Sequence, residues 1–593
     1  LQLSLYHKRQ ILKQKILIHL VNFFNFFSFP LVIVAVLFFH TSQIFSQSDS
    51  IQTNVPSLKN VYAHDFYIGC ILSYRNIGFP TDPYVPGQST VVTPNGGYLV
   101  KFHMNSMTPG NNMKPQYTVD ISSSAAAYSA ATDSVAKDSI NTHPIIKFNG
   151  DMIAQLNWAK RQGFTFRGHT LVWHNQTPTQ FFRTGYTSTG AYLTKEKMTE
   201  RLDNYIKSII SLIHANWPGL LSAFDIVNEA IDDNTGAVRR TSNEWYTVFG
   251  DSTYIMDAFE FARKYTVQYG ETQIKLYYND YNTDVQTKAD GIVRLLTPIY
   301  KAGFLDGIGM QNHNSINVPT AQNFIASYNK FYPICNEMAV TELDVTTGSA
   351  NPSASVLAQQ ANQYGQLFKC FVERSYFSGR GKIINVTKDG LNDAYTFKTN
   401  QSSSLWDSNN QCKPAFYAVA RVGIYYNKLD SLISFADSLK QSEYTSESWS
   451  ELAATLDSAK SVMNQNFSFT VSADTALSTA ENNLETAVNG LVKIATYVNV
   501  VKENNPKTFS LSQNYPNPFN PTTRIKYSVP QDGYISLKVY NLLGQEVTKI
   551  FEGFQHAGSY VILFDGSKLA SGVYLYQLKA NNYLQTRKLI LLK

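Results

Sequence analysis

Between about residues 55 and 427 the chain alternates short apolar runs with longer amphipathic stretches, and few backbone arrangements accept that pattern. Apolar runs read as buried strands of a parallel sheet, and the stretches between them as the helices that cover it. Candidate strands are Tyr67–Ile71, Phe164–Arg167, Ala223–Val227, Ile274–Tyr278, Gly307–Met310, Met338–Thr341 and Lys382–Val386, with an eighth around Tyr98–Met104. Helices such as Asp257–Tyr269 and Val356–Glu373 lie between them. Eight is the number of strands that closes a barrel, so the expected fold class is α/β, a (β/α)8 TIM barrel. Chemistry on such a barrel belongs at the C-terminal ends of its strands.

Two of the runs end there in glutamate: Phe224-Asp225-Ile226-Val227-Asn228-Glu229 and Met338-Ala339-Val340-Thr341-Glu342. Two facing carboxylates are the minimum equipment for cleaving a glycosidic bond, which needs a proton for the leaving oxygen and a partner for the oxocarbenium-like centre. Their neighbours fit that use. Asn228 stands beside Glu229 and could hold a sugar hydroxyl. Asp344 follows Glu342 by two residues and so points the same way along an extended strand. Gln311-Asn312-His313 ends the intervening strand, and His313 could donate to one carboxylate and hold it ionised. The run Arg167-Gly168-His169-Thr170-Leu171-Val172-Trp173-His174-Asn175-Gln176 gathers polar and aromatic side chains just after a strand. Asn105 to Lys114 reads as a loop whose Asn and Lys supply further donors.

The remainder divides by composition. With 593 residues the chain should hold several domains. Its net charge of +6 is spread along the sequence, with no long basic run for nucleic acid and no glycine-rich phosphate loop. No cofactor is called for, and the spacing of the four cysteines is not that of a metal site. Cys335 and Cys370 either pair or remain buried thiols. Most of the 37 tyrosines and 36 phenylalanines are expected in cores and strands. Residues 1–46 read as an export signal, with Lys8, Arg9, Lys13 and Lys15 before a long apolar stretch; a retained membrane anchor is the other reading. Apolar residues recur at helical spacing through 428–495, as in Leu477, Ala480, Leu484, Val488 and Leu491, which predicts three helices in a small bundle acting as a spacer. A linker over 496–507 leads to strands that alternate apolar and polar residues over 508–593, an antiparallel β-sandwich.

The barrel resembles glycoside hydrolase family 10, the endo-β-1,4-xylanases, through GHTLVWHNQTP, FDIVNEA, LYYNDYN, GIGMQNH, VTELDV and KPAFYAV in the family's order. The resemblance implies Glu229 as general acid/base and Glu342 as nucleophile. It implies a retained configuration, with a carboxylate gap of roughly 5–5.5 Å. It places Asn111, Lys114, His169, Trp173, Gln176, Asn228, Tyr281 and Gln311 around the sugars, and His313 and Asp344 behind Glu342. The substrate implied is xylan or a related β-1,4-linked plant polysaccharide, with a β-1,4-glucanase or mixed activity, or a weakened glycan-binding protein, as alternatives. The chain departs from the family at Gly110, at Gln180, and at Asp389 and Phe397, the last three standing where the family has tryptophans.

The bundle is similar to FIVAR-like modules, most tellingly at Tyr444-Thr445-Ser446-Glu447-Ser448-Trp449. The final segment resembles the C-terminal sorting domain of type IX secretion substrates, carried by Leu511-Ser512-Gln513-Asn514-Tyr515-Pro516-Asn517-Pro518-Phe519-Asn520-Pro521 and the ending Lys588-Leu589-Ile590-Leu591-Leu592-Lys593. This implies a protein exported through the periplasm, engaged by the type IX machinery and secreted or held at the cell surface. It is expected to act as a monomer.

Overall fold

Eight parallel strands close into a ring. In chain order they are β1 (Tyr67–Leu72), β2 (Ser106–Pro109), β3 (Thr165–Trp173), β4 (Leu221–Asn228), β5 (Lys275–Asp280) and β6 (Gly307–Met310). A short β7 (His313–Ser315) follows, then β8 (Glu337–Thr346) and β9 (Lys382–Asp389). Each barrel strand pairs with its neighbour; β6 pairs with β8, and β9 with β1, which closes the barrel. β7 lies along the far end of β8, His313 opposite Asp344. This architecture comes from a computed structural model, which describes residues 51–593 apart from 94, 376–380, 466–470, 493–497, 502–505, 568 and 581–582. The segment read as an export signal lies outside the described residues.

Strands buried on both faces explain the continuous apolar runs: nearly every residue of β3 and β4 is shielded from solvent. The covering helices begin at side-chain caps. Asn149 accepts from the Met152 N–H at 2.8 Å, and Thr320 and Asn323 form a reciprocal capping box.

One strand was expected in the wrong place. Residues 98–103 fall in a helix, Gly96–His103, closed by Met104, and its buried face carries Leu99, Val100 and His103 at helical spacing. Gly96 and Gly97 let that helix lie against backbone: an added Cβ would meet the carbonyl oxygens of Asn76 and Ile77 at 2.0 and 2.3 Å. The second barrel strand is β2 instead, inside the segment expected to be loop. Its residues are Ser-Met-Thr-Pro, all buried, with Ser106 Oγ accepting from Asn385 Nδ2 at 2.8 Å. A polar strand that short leaves no apolar run to find. The Ser- and Ala-rich stretch 116–145 holds the helices Ile121–Ala130 and Ser134–Thr142. Asp120 and Asp133 cap them through the N–H groups of Ser123 and Ala136.

After the barrel come the helices Asn427–Ser438, Ser446–Met463 and Val471–Asn489. Leu429, Ile433, Leu452, Leu477 and Leu484 belong to the same continuous apolar core as the barrel. The bundle is therefore packed on the barrel rather than strung out from it.

The C-terminal part is two four-stranded antiparallel sheets. Its strands are β10 (Val498–Val501), β11 (Ser510–Leu511), β12 (Thr522–Val529), β13 (Gly533–Tyr540), β14 (Glu546–Gln555), β15 (Gly558–Asp565), β16 (Gly572–Ala580) and β17 (Tyr583–Leu591). Ile525, Tyr527, Leu537, Ile562, Leu578 and Leu589 fill the core of this unit. Val498–Val501, expected to be linker, pairs with β15. All four cysteines are free thiols, so Cys335 and Cys370 do not pair.

Candidate active site

The chain leaves β4 at Glu229 in a left-handed turn, φ 54°, while the Glu229 N–H stays bonded to the Asn279 carbonyl at 2.9 Å. A residue other than glycine adopts that conformation only where its surroundings over-determine it. Here they do so through the carboxylate. Its Oε1 accepts from Asn228 Nδ2 at 3.0 Å and Gln311 Nε2 at 2.9 Å, and its Oε2 accepts from the Trp173 indole at 2.9 Å. Every donor to Glu229 is neutral.

Glu342, within β8, is fitted differently. Asn279 Nδ2 donates to its Oε1 at 2.9 Å, and His313 Nε2 stands 3.5 Å from its Oε2. The other nitrogen of His313 pairs with Asp344 at 2.7 Å. Burial pushes the Glu342 carboxyl up, but the His313 hydrogen bond, the His169 and His313 imidazoles and Asn279 outweigh it and hold the group at about 2. Burial would lower His313, yet Asp344 and Glu342 raise it to about 10. Glu342 is thus an anion backed by a cation across the whole neutral range.

Amide side chains join the two carboxylates. Asn279 donates both to Glu342 and to Asn228 Oδ1, each at 2.9 Å, and Asn228 in turn donates to Glu229. Asn279 Oδ1 accepts from the Thr341 hydroxyl at 2.6 Å, which fixes the amide's orientation. Below them the barrel interior is charged. Asp225 on β4 accepts from Arg167 and lies 2.9 Å from His169 Nδ1, all three buried. Arg167 also stacks over Tyr277, 4.8 Å from the ring centre. His174 is pushed down to about 4, by burial first and by Arg239 second, and stays neutral.

One wall of the cleft comes from the segment after β2. Lys114 donates to Asn111 at 2.8 Å and to Gln176 at 2.9 Å, and its ammonium lies 4.6 Å from the centre of the Trp173 ring. Burial lowers the Lys114 ammonium against the pull of Glu342, Glu229 and Asp389, so all three carboxyls share its surroundings. Asn111, Lys114, Trp173, Gln176, Asn228, Gln311, Glu229, Glu342, His313, Asp344 and His169 thus gather at one end of the barrel. Tyr281 is placed apart from the carboxylates. Its hydroxyl accepts from Arg239 at 3.2 Å, and Lys288 stands 3.7 Å over its ring.

Residues 57–422 match the family described as Glycosyl hydrolase family 10. The chain belongs to this family. A putative endo-1,4-beta-xylanase of Caldicellulosiruptor saccharolyticus is 33% identical over 322 residues, covering 53% of this chain and 97% of that protein. Endo-1,4-beta-xylanase Y of Acetivibrio thermocellus is 33% identical over 381 residues, or 62% of this chain and 32% of that protein. Among solved structures, the xylanase 10B modules of Clostridium thermocellum, complexed with xylohexaose, superpose with a TM-score of 0.53 at 31% identity. They cover 63% of this chain and 68% of that one. The intracellular xylanase of Thermoanaerobacterium saccharolyticum gives a TM-score of 0.51 at 26% identity over 62% of this chain and 100% of its own. The chain spans about a third of the length of the first curated relatives it matches. Residues 513–592 match the Secretion system C-terminal sorting domain, which implies secretion or the cell surface.

Sequence reasoning overlooked two parts of this family 10 site. Asn279 lies in β5 beside Tyr278 and shares the inward face with Tyr277. Strand alternation alone would have set it at the barrel mouth. The buried pair Arg167–Asp225 likewise showed as charges inside apolar runs, which need a partner. Three of the departures have plain settings. A Cβ added at Gly110 would meet the Leu72 carbonyl oxygen at an ordinary 3.7 Å, Gln180 stands in a short 3-10 turn, and Phe397 meets His313 edge-on at 5.0 Å while 58% exposed. Asp389 ends β9, and an oxygen of its carboxyl lies within 4.8 Å of His313 and Asp344.

Proposed function

We propose that this chain is a secreted endo-β-1,4-xylanase that hydrolyses internal bonds of xylan with retention of configuration. The observation that carries the reading is the unequal fitting of the two carboxylates. Glu342 has a cationic neighbour and is ionised; Glu229 is held by neutral donors at the end of the facing strand. Glu342 attacks the anomeric carbon and becomes a glycosyl ester, while Glu229 passes its proton to the departing oxygen. Once the ester has formed, Glu229 takes a proton from the incoming water, which attacks the same carbon and frees Glu342. Asn228 and Gln311, next to Glu229, present amides to the sugar at the cleavage point. Lys114, Asn111, Gln176, Trp173 and His169 bind the sugars on either side, and Tyr281 lines the outer cleft.

His313 and Asp344 position Glu342 and keep it ionised. A single chain carries both glutamates, so the enzyme is read as a monomer. Its C-terminal β-sandwich engages the type IX secretion machinery.

The test is release of reducing sugar from xylan and from carboxymethyl-cellulose, with Glu229→Ala and Glu342→Ala as controls. Release from xylan by the wild type alone supports the reading. Faster release from carboxymethyl-cellulose replaces it by a β-1,4-glucanase. Binding of xylan without release reduces the chain to a glycan-binding protein.

A further inference from the structure

Asp389 is a third carboxyl at the mouth of the barrel, with no role in the reaction as derived above. It closes β9, with Ile71 of β1 opposite it, and only 7% of its surface is exposed. An oxygen of its carboxyl lies within 4.8 Å of a His313 nitrogen and of an Asp344 oxygen, the two groups that back Glu342. Yet among the described residues its carboxyl makes no hydrogen bond and no ion pair, feeling only burial and the charges nearby. Buried carboxyls are normally satisfied. One left open beside a sugar cleft points to a partner that arrives with the substrate.

The charges around Asp389 do not neutralise it. On its own strand Lys388 is turned away, donating to the Gly390 carbonyl and standing 5.8 Å from the Trp406 ring. From β8 come Glu342 and Asp344, both adding to the negative field, and from β7 comes His313, already bonded to Asp344. Cys70 of β1 and Tyr364 of the helix Ala354–Ser375 face it as uncharged groups, each raised first of all by burial. Lys114 across the cleft is bonded to Asn111 and Gln176. Burial above all, and then Glu342, raise the Asp389 carboxyl to about 7.

We propose that Asp389 works as a neutral carboxylic acid that grips two hydroxyls of the sugar ring presented to Glu342. Its O–H donates to one hydroxyl and its carbonyl oxygen accepts from the other. Ionisation removes the donor and sets a second negative charge beside the nucleophile, so productive binding ends as Asp389 loses its proton. The inference rests on the xylanase reading above and adds to it a specificity residue and a pH limit.

Two measurements test it. In the first, kcat/KM on xylan is followed against pH for the wild type, Asp389→Asn and Asp389→Ala. The asparagine keeps a donor and an acceptor but cannot ionise, so the alkaline half-activity point should move up by about one pH unit or more. The alanine loses both bonds, and KM at pH 5 should rise about tenfold. An alkaline limb in Asp389→Asn that coincides with the wild type overturns the proposal.

In the second, xylotriose binding to Glu229→Gln, which cannot turn it over, is measured by calorimetry in buffers of different ionisation enthalpy. Binding should take up close to one proton per ligand at about pH 8 and almost none at about pH 5. Binding without proton uptake at the higher pH also overturns it. No binding at either pH, with no release of sugar by the wild type, sinks the xylan reading itself and the inference with it.

Discussion

Asn279 donates its side-chain nitrogen to Glu342 Oε1 at 2.9 Å while the same nitrogen reaches Asn228 at an equal distance. One amide on β5 thereby ties the ionised carboxylate of β8 to the carboxylate at the end of β4. The orientation of that amide is not free, because the Thr341 hydroxyl occupies its oxygen. The two carboxylates are consequently spaced by hydrogen bonds between strands rather than by the strands alone.

Replacing Asn279 by alanine removes a donor from a buried anion and unties Asn228. Loss of one preorganised donor to a reacting charge costs about 100-fold in kcat. Asn279→Ala should show a drop of that order on xylan with the circular dichroism spectrum preserved. A loss below about threefold would remove Asn279 from the machinery.

His313 sets the acid limit. Glu342 is held at about 2 and His313 at about 10. His313→Asn keeps a neutral donor but deletes the cation, so Glu342 should rise and the acid limb of kcat/KM should move up by about one pH unit or more. The same pair shapes stability. Glu342, lowered from 4.5 to about 2, contributes stability that is present above pH 4.5 and lost as pH falls through about 2. His313, raised from 6.5 to about 10, contributes stability that is full below pH 6.5 and lost as pH rises through about 10. Thermal unfolding midpoints of the wild type and His313→Asn should therefore differ most between these limits.

Gly309 in β6 makes room for the polar interior. An added Cβ would stand 2.5 Å from Asn279 Oδ1 and 2.7 Å from Arg167 Nη2. Gly309→Ala should destabilise the barrel by about 1–3 kcal/mol, read by urea unfolding, and lower activity by displacing Asn279. An unchanged unfolding midpoint would show that Asn279 and Arg167 can yield.

Inside the barrel Asp225 pairs with two side chains at once, the Arg167 guanidinium and the His169 imidazole. Asp225→Ala leaves the Arg167 guanidinium buried without its carboxylate, at a cost of about 3–5 kcal/mol. The expected result is poor expression or a sharply lowered unfolding midpoint. Asp225→Asn, which retains acceptors, should lose less.

Much of this was legible in residue patterns. The barrel showed itself in apolar runs at regular intervals, because strands buried on both faces must be apolar along their length. Glu229 and Glu342 stood out because each ends such a run, and the C-terminal antiparallel sandwich because its strands alternate. What failed was the element without that signature. β2 is four buried residues, two of them hydroxylated, and its barrel position is held by pairing to β1 and β3. The apolar stretch Tyr98–Met104, expected as that strand, instead lies in the helix Gly96–His103 and its C-cap Met104.

The sequence by itself determined which carboxylates follow the apolar runs of the barrel strands and which side chains accompany them along the chain, since periodicity is a local property; Glu229 directly follows β4, whereas β8 runs on past Glu342 to Thr346. Only the tertiary structure decided that Asn279 bridges Glu342 and Asn228, and that Asp389 lies open beside His313 and Asp344. Those contacts join β4, β5, β7, β8 and β9. They depend on how the barrel closes and on the register of each strand against the next, and neither is written in the spacing of residues along one strand.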